Sequence, residues 1–104
     1  MSKINTIINM IINYVKENYD ELMSMDPKDV VMQLMEAIHE YEPLSKVYIK
    51  MFWNTISKYL SNPTLIMMEL RNIDPELYNK LMNNVDWLNK FFYILYTTLK
   101  NYIS

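Results

Sequence analysis

The sequence predicts an all-α fold: a compact bundle of five to six mostly antiparallel helices without a β-sheet, formed by residues 1–104 as a single domain. Three observations carry this. Apolar residues recur along most of the chain at offsets of three, four and seven, the spacing of one helical face. Three of the four prolines directly follow Asp or Asn, as Asp26-Pro27, Asn62-Pro63 and Asp74-Pro75, the cap-and-proline signature of a helix start. With 51% apolar and 21% charged side chains, the 104 residues can fill one core, whereas a disordered chain would be more polar.

The first helix is expected from Lys3 to about Met23, with Ile4, Ile7, Ile8, Ile11, Val15, Tyr19 and Leu22 on its apolar face. Asn9, Asn13, Lys16, Glu17 and Asp20 take the other side. At the second start, the Asp26 carboxylate can accept from the first free N–H groups, and Pro27 loses no hydrogen bond at the first helical position. This helix should run to about Tyr41, with Val31, Leu34, Met35 and Ile38 inward and Asp29, Gln33, Glu36 and Glu40 outward. Pro43 then pushes Glu42 out of the helical region and restarts the chain. Leu44, Val47, Tyr48, Met51, Phe52 and Ile56 form the apolar face of a third helix ending near Leu60. So short a link makes the second and third helices an antiparallel hairpin. Asn62-Pro63 opens a fourth helix to about Arg71 and Asp74-Pro75 a fifth to about Asn83, unless residues 63–83 form one kinked element. The last is expected from Val85 to Ile103.

The stretches MDPKDVVMQLM, SNPTLIMMEL and NIDPELYNKLM share a cap, a proline and an apolar residue seven positions on: Leu34, Leu70 and Met82. Their prolines are unequally spaced, and true repeats keep a period, so they read as shared helix-start punctuation. Across residues 62–84, Asn-Pro and Asp-Pro units twelve residues apart, with Met and Leu between, resemble the substrate-binding repeats of heat-shock cochaperones. The resemblance covers two units and transfers no activity.

Composition excludes most chemistry. Without cysteine there is no disulfide, thiolate zinc site or cysteine nucleophile, and without glycine no glycine-rich phosphate loop or dinucleotide fingerprint. His39 is the single histidine, which leaves a serine triad without its usual base. Glu36 and His39 have the spacing of a helical di-metal half-site, but that site needs a second such pair, so His39 is read as solvent-facing beside Glu36 and Glu40. The acids lie at helix starts and on polar stripes, where neither of a carboxylate pair would have its pKa raised by burial. No catalytic residue, metal, cofactor or small-molecule substrate is expected.

Runs free of charge such as Ile4–Val15 and Phe91–Leu99 fall short of the about 20 apolar residues of a membrane span. No secretory signal pattern follows Lys3, so the expected compartment is the cytoplasm. Abundant Asn, Ile, Lys and Tyr match AT-rich coding sequence and suggest a viral or mobile-element source.

Charge divides the chain. Residues 1–42 carry three lysines and eight acids, net −5, while residues 43–104 carry seven basic residues and four acids, net +3. Lys46, Lys50 and Lys58 form a basic stripe expected to face the acidic one of Asp29, Glu36 and Glu40 across the hairpin, or to meet nucleic acid. A helix-turn-helix over residues 64–83 is disfavoured by bulky Met68, by Glu76 near the reading helix's start, and by a net charge of −1 over residues 64–90.

The last helix is the strongest functional candidate. Six of the fourteen aromatics, Trp87, Phe91, Phe92, Tyr93, Tyr96 and Tyr102, fall within sixteen residues. A helix apolar around most of its girth needs cover on several sides. Either it runs through the middle of the bundle, or one face is covered by the same helix of a second copy. The function expected is therefore a small non-enzymatic protein-interaction module, of inhibitor or adaptor type, that binds a protein partner or itself as a homodimer. Its contact residues would be Trp87, Phe91, Tyr93, Tyr96 and Tyr102. The alternative is a nucleic-acid-binding regulator using Lys46, Lys50 and Lys58. Membrane binding is not expected, because only Lys90 and Lys100 would form the basic face of that helix.

Overall fold

The computed structural model describes the backbone of residues 3–104 and the side chains of residues 9–104. The expected core positions Ile4, Ile7 and Ile8 therefore lie outside the described side chains. Among the described residues eight helices follow one another: α1 (Lys3–Glu17), α2 (Tyr19–Ser24), α3 (Pro27–Glu40), α4 (Leu44–Met51), α5 (Trp53–Ser61), α6 (Pro63–Ile73), α7 (Pro75–Met82) and α8 (Val85–Ile103). Among the described residues there is no strand. The Cα radius of gyration is 13.7 Å.

The count exceeds the expected five to six because two expected helices are broken. At Asn18 (φ −113°, ψ 19°) the side-chain amide donates to the Tyr14 carbonyl at 2.9 Å, beside the residue's own backbone bond to the same oxygen at 3.0 Å. Such local competition by an Asn side chain separates α1 from α2. At Phe52 (φ −102°, ψ 16°) the chain bends between α4 and α5, and the next residue, Trp53, stacks on Tyr96 of α8 with ring centroids 5.8 Å apart. Residues 63–83 form two helices, separated at Asp74.

Pro27, Pro63 and Pro75 all sit at the first helical position. Asp26 accepts from Lys28 N at 2.9 Å and Asp74 from Leu77 N at 3.0 Å, the bonds that free helix-start donors require. Pro43 instead occupies the N-cap of α4, after a cis Glu42–Pro43 peptide bond.

The core gathers around α8. Met67, Leu77, Leu81 and Leu88 form one buried cluster from α6, α7 and α8, roofed by Ile12 and Val15 of α1 and by Tyr19 and Met23 of α2. Val30 and Val31 of α3 and Leu99 of α8 are also buried. The helix α8 packs against α3, α4, α5 and α7. Two bonds fix its direction relative to α3: Trp87 Nε1–H donates to the Met25 carbonyl at 2.8 Å near their starts, and the Tyr102 hydroxyl donates to Glu42 Oε1 near their ends. Hence α3 and α8 run parallel.

Polar contacts tie the first helices to α7. Lys16 Nζ lies 3.1 Å from Asp74 Oδ2, and the Tyr19 hydroxyl donates to the Lys80 carbonyl at 2.6 Å. The Leu77 N–H, then Lys16, hold the Asp74 carboxyl below its ordinary range, and the Tyr102 hydroxyl, then His39, do so for Glu42. Unfolding returns both to about 4, so the unfolded chain binds more protons in acid. Their stabilisation is complete above that value and is lost as pH falls through the lower folded values. Asp74→Asn, which keeps an oxygen at the cap, should flatten the decline in thermal midpoint between pH about 5 and about 3. A decline as steep as that of the parent protein in calorimetry would show that the Asp74 charge contributes nothing.

Candidate protein interaction surface

Most of the aromatic residues of α8 are occupied within the chain. Trp87 is half-buried, bonded to Met25 and stacked on Phe91 with centroids 5.4 Å apart. Tyr96 stacks on Trp53 with Lys100 Nζ 5.9 Å from its ring, and Tyr102 meets His39 edge-on at 5.1 Å beneath Lys46 Nζ, also at 5.1 Å. Burial, then the bond to Glu42, push the Tyr102 hydroxyl up from its ordinary pKa. Tyr93 stands apart at 70% exposed. The five residues expected to form one contact face are thus divided among several neighbours, and the helix is covered mainly by its own chain.

Among the described residues, a stripe of apolar side chains stands exposed on α4. Leu44, Val47, Tyr48 and Met51 fall at offsets of three, four and seven, one side of an eight-residue helix. Together with Phe52 they are 49% to 65% exposed. Tyr48 and Phe52 stack on one another outside the bundle, with centroids 6.5 Å apart and planes 13° from parallel. This is the face expected to point inward, and the structure turns it outward. The reason lies on the opposite side of α4. There the Ser45 hydroxyl donates to the Ile38 carbonyl at 2.6 Å, Lys46 covers the Tyr102 ring, and Ile49 is half-buried. Ile49 continues into Trp53, Ile56 and Leu60, a second apolar stripe that is partly buried along its whole length. Similarly, Leu34 of α3 was expected inward but is 41% exposed, with Val30 buried in its place.

The basic residues part company too. Lys50 and Lys58 are exposed on successive helices, whereas Lys46 is half-buried over Tyr102. Among the described residues none of the three pairs with a carboxylate, so the expected attraction between the lysine stripe and Asp29, Glu36 and Glu40 is not realised as ion pairs. His39 pairs with Glu42, at 2.8 Å from Nδ1 to Oε1, in place of Glu36 or Glu40. The described residues contain no group of three potential metal ligands, and no described helix is long and apolar enough to cross a membrane.

No protein-family model matches the chain, and neither curated proteins nor solved structures give a significant match. The geometry of the surface is therefore the guide to function. Sequence periodicity found the α4 stripe but gave it the wrong side. Spacing does not separate the two stripes, because both reach Ile56; the contacts of Trp53 with Tyr96 and of Lys46 with Tyr102 do.

Proposed function

We propose that the chain is a small, non-enzymatic protein-interaction module that pairs with a second copy of itself through the outer face of α4. The exposure of Leu44, Val47, Tyr48, Met51 and Phe52 as one unpartnered stripe carries the reading. Aromatic residues and Met are the types enriched at interface cores, and contiguous exposed apolar patches on small proteins mark contact sites. The charges at the two ends of α4 support a self-complementary pairing. Exposed Glu40 is the last residue of α3, before the turn into α4, and exposed Lys50 stands in the last turn of α4. Two copies of α4 crossing antiparallel about a two-fold axis bring the acidic end of each to the basic end of the other.

Eight residues make α4 about 12 Å long, so the contact is small beside the roughly 800 Å² per partner of a standard interface. The dimer is accordingly weak and concentration-dependent. This reading sets the module in the cytosol, as an inhibitor or adaptor of a virus or mobile element, a source that its Asn-, Ile-, Lys- and Tyr-rich composition supports.

Sedimentation equilibrium from micromolar to near-millimolar protein tests the proposal. The mass should rise from 12.6 kDa toward twice that value, and Met51→Glu should weaken association by about tenfold or more while leaving the helical signal unchanged. A mass that stays at 12.6 kDa throughout would exclude self-pairing.

A further inference from the structure

The angle between α6, α7 and α8 holds an open groove of about 220 Å³. Buried Met67 and Leu88 lie at its floor, Met68, Met82 and Phe92 stand along it, and Arg71 is among the residues that line it. Met68 is 61% and Met82 42% exposed. Methionine is unbranched and polarisable, so three of them give a wall that adapts to varied apolar shapes, as at binding surfaces that accept several partners. The volume is below the roughly 300–1,000 Å³ of small-molecule sites and suits one or two inserted side chains. The Arg71 guanidinium lies 5.9 Å from the Tyr78 ring centroid and forms no ion pair among the described residues. A planar, fork-shaped cation of that kind beside an apolar groove is matched by a carboxylate.

From these features we infer that the groove is a second docking site, taking an amphipathic helix of another protein that presents an Asp or Glu within a turn of its apolar anchors. The anchors enter between Met68 and Met82, and the carboxylate meets Arg71. This is the helix-in-groove mode, with one charge fixing orientation. The site is distinct from the α4 face, so two copies paired through α4 would carry two such grooves and act as an adaptor.

A display library of helical peptides, selected on the full chain, tests this. Enriched peptides should share large apolar residues with an acid three or four positions away and should compete with one another. Arg71→Glu should weaken them by about tenfold or more. Exchanging the peptide's acid for Arg should restore binding to that variant, which a merely misfolded groove would not allow. Met68→Lys, at an exposed position, should also abolish binding, and Met51→Glu on α4 should leave it unchanged. Failure to enrich any peptide, or binding lost in Met51→Glu but kept in Arg71→Glu and Met68→Lys, would overturn the assignment. Neither result depends on whether the chain dimerises.

Discussion

Leu77→Ala is expected to lower stability by about 3 kcal/mol and the thermal midpoint by roughly 12–20 °C, the largest effect expected of a single truncation among the described residues. Leu77 is 2% exposed and packs with Met67, Leu81 and Leu88, where α6, α7 and α8 meet under α1 and α2. Truncation removes its transfer free energy and leaves a cavity that the surrounding helices cannot all close on. A domain of this size has only about 5–15 kcal/mol to lose, so the variant falls to the margin of folding. The neighbouring Leu81, at 7% exposed, belongs to the same turn of α7, and its truncation should add less than its full single effect to that of Leu77. Denaturant unfolding measures both. A loss below about 1 kcal/mol for Leu77→Ala would mean that the α6–α7–α8 junction is not the principal core.

How far that junction was readable from sequence depends on the kind of signal involved. Helix starts were legible because their chemistry is local: Asp26 and Asp74 accept from the first free N–H groups, and Pro27, Pro63 and Pro75 each stand at the first position. The last helix was legible at both ends for a similar reason, as an unbroken apolar pattern from Val85 to Ile103. Breaks within a pattern were not. The backbone hydrogen bonds end and restart at Asn18 and Phe52 while the apolar spacing continues across both, so periodicity alone gives no cause to divide the helices there.

Inside and outside were harder still wherever a segment is apolar on two sides. In residues 44–60 the stripe through Val47 and Met51 and the stripe through Ile49 and Ile56 are both plausible core faces. What decides between them is the long-range packing of Trp53 on Tyr96 and Lys46 on Tyr102, over separations of forty and more residues. The parallel run of α3 beside α8 is another such fact. It rests on the pairs Met25–Trp87 and Glu42–Tyr102, which no short-range rule connects. The way α8 is covered depends on long-range packing too. An aromatic-rich helix was correctly judged to need cover on several sides, but the chain itself supplies most of that cover, and the exposed aromatic pair, Tyr48 and Phe52, lies elsewhere.

Trp87 provides the sharpest test of that transfer of roles. As a partner anchor it would be dispensable for folding, and Trp87→Ala would alter only association. The structure gives it intramolecular work: its N–H satisfies the Met25 carbonyl at 2.8 Å, ahead of α3, and its ring stacks on Phe91 and packs against the Met67–Leu77–Leu81–Leu88 cluster. A fully buried Trp costs about 3–5 kcal/mol on truncation, and a half-buried one correspondingly less, so Trp87→Ala should cost about 2–3 kcal/mol. Trp87→Phe separates the two contributions. It retains most of the stacking and forfeits the hydrogen bond, for a loss of about 1 kcal/mol with the fold intact. Both losses should appear in unfolding transitions at protein concentrations too low for self-association. An unchanged transition in Trp87→Ala, together with weakened dimerisation, would return the contact surface to α8 and remove the case for α4.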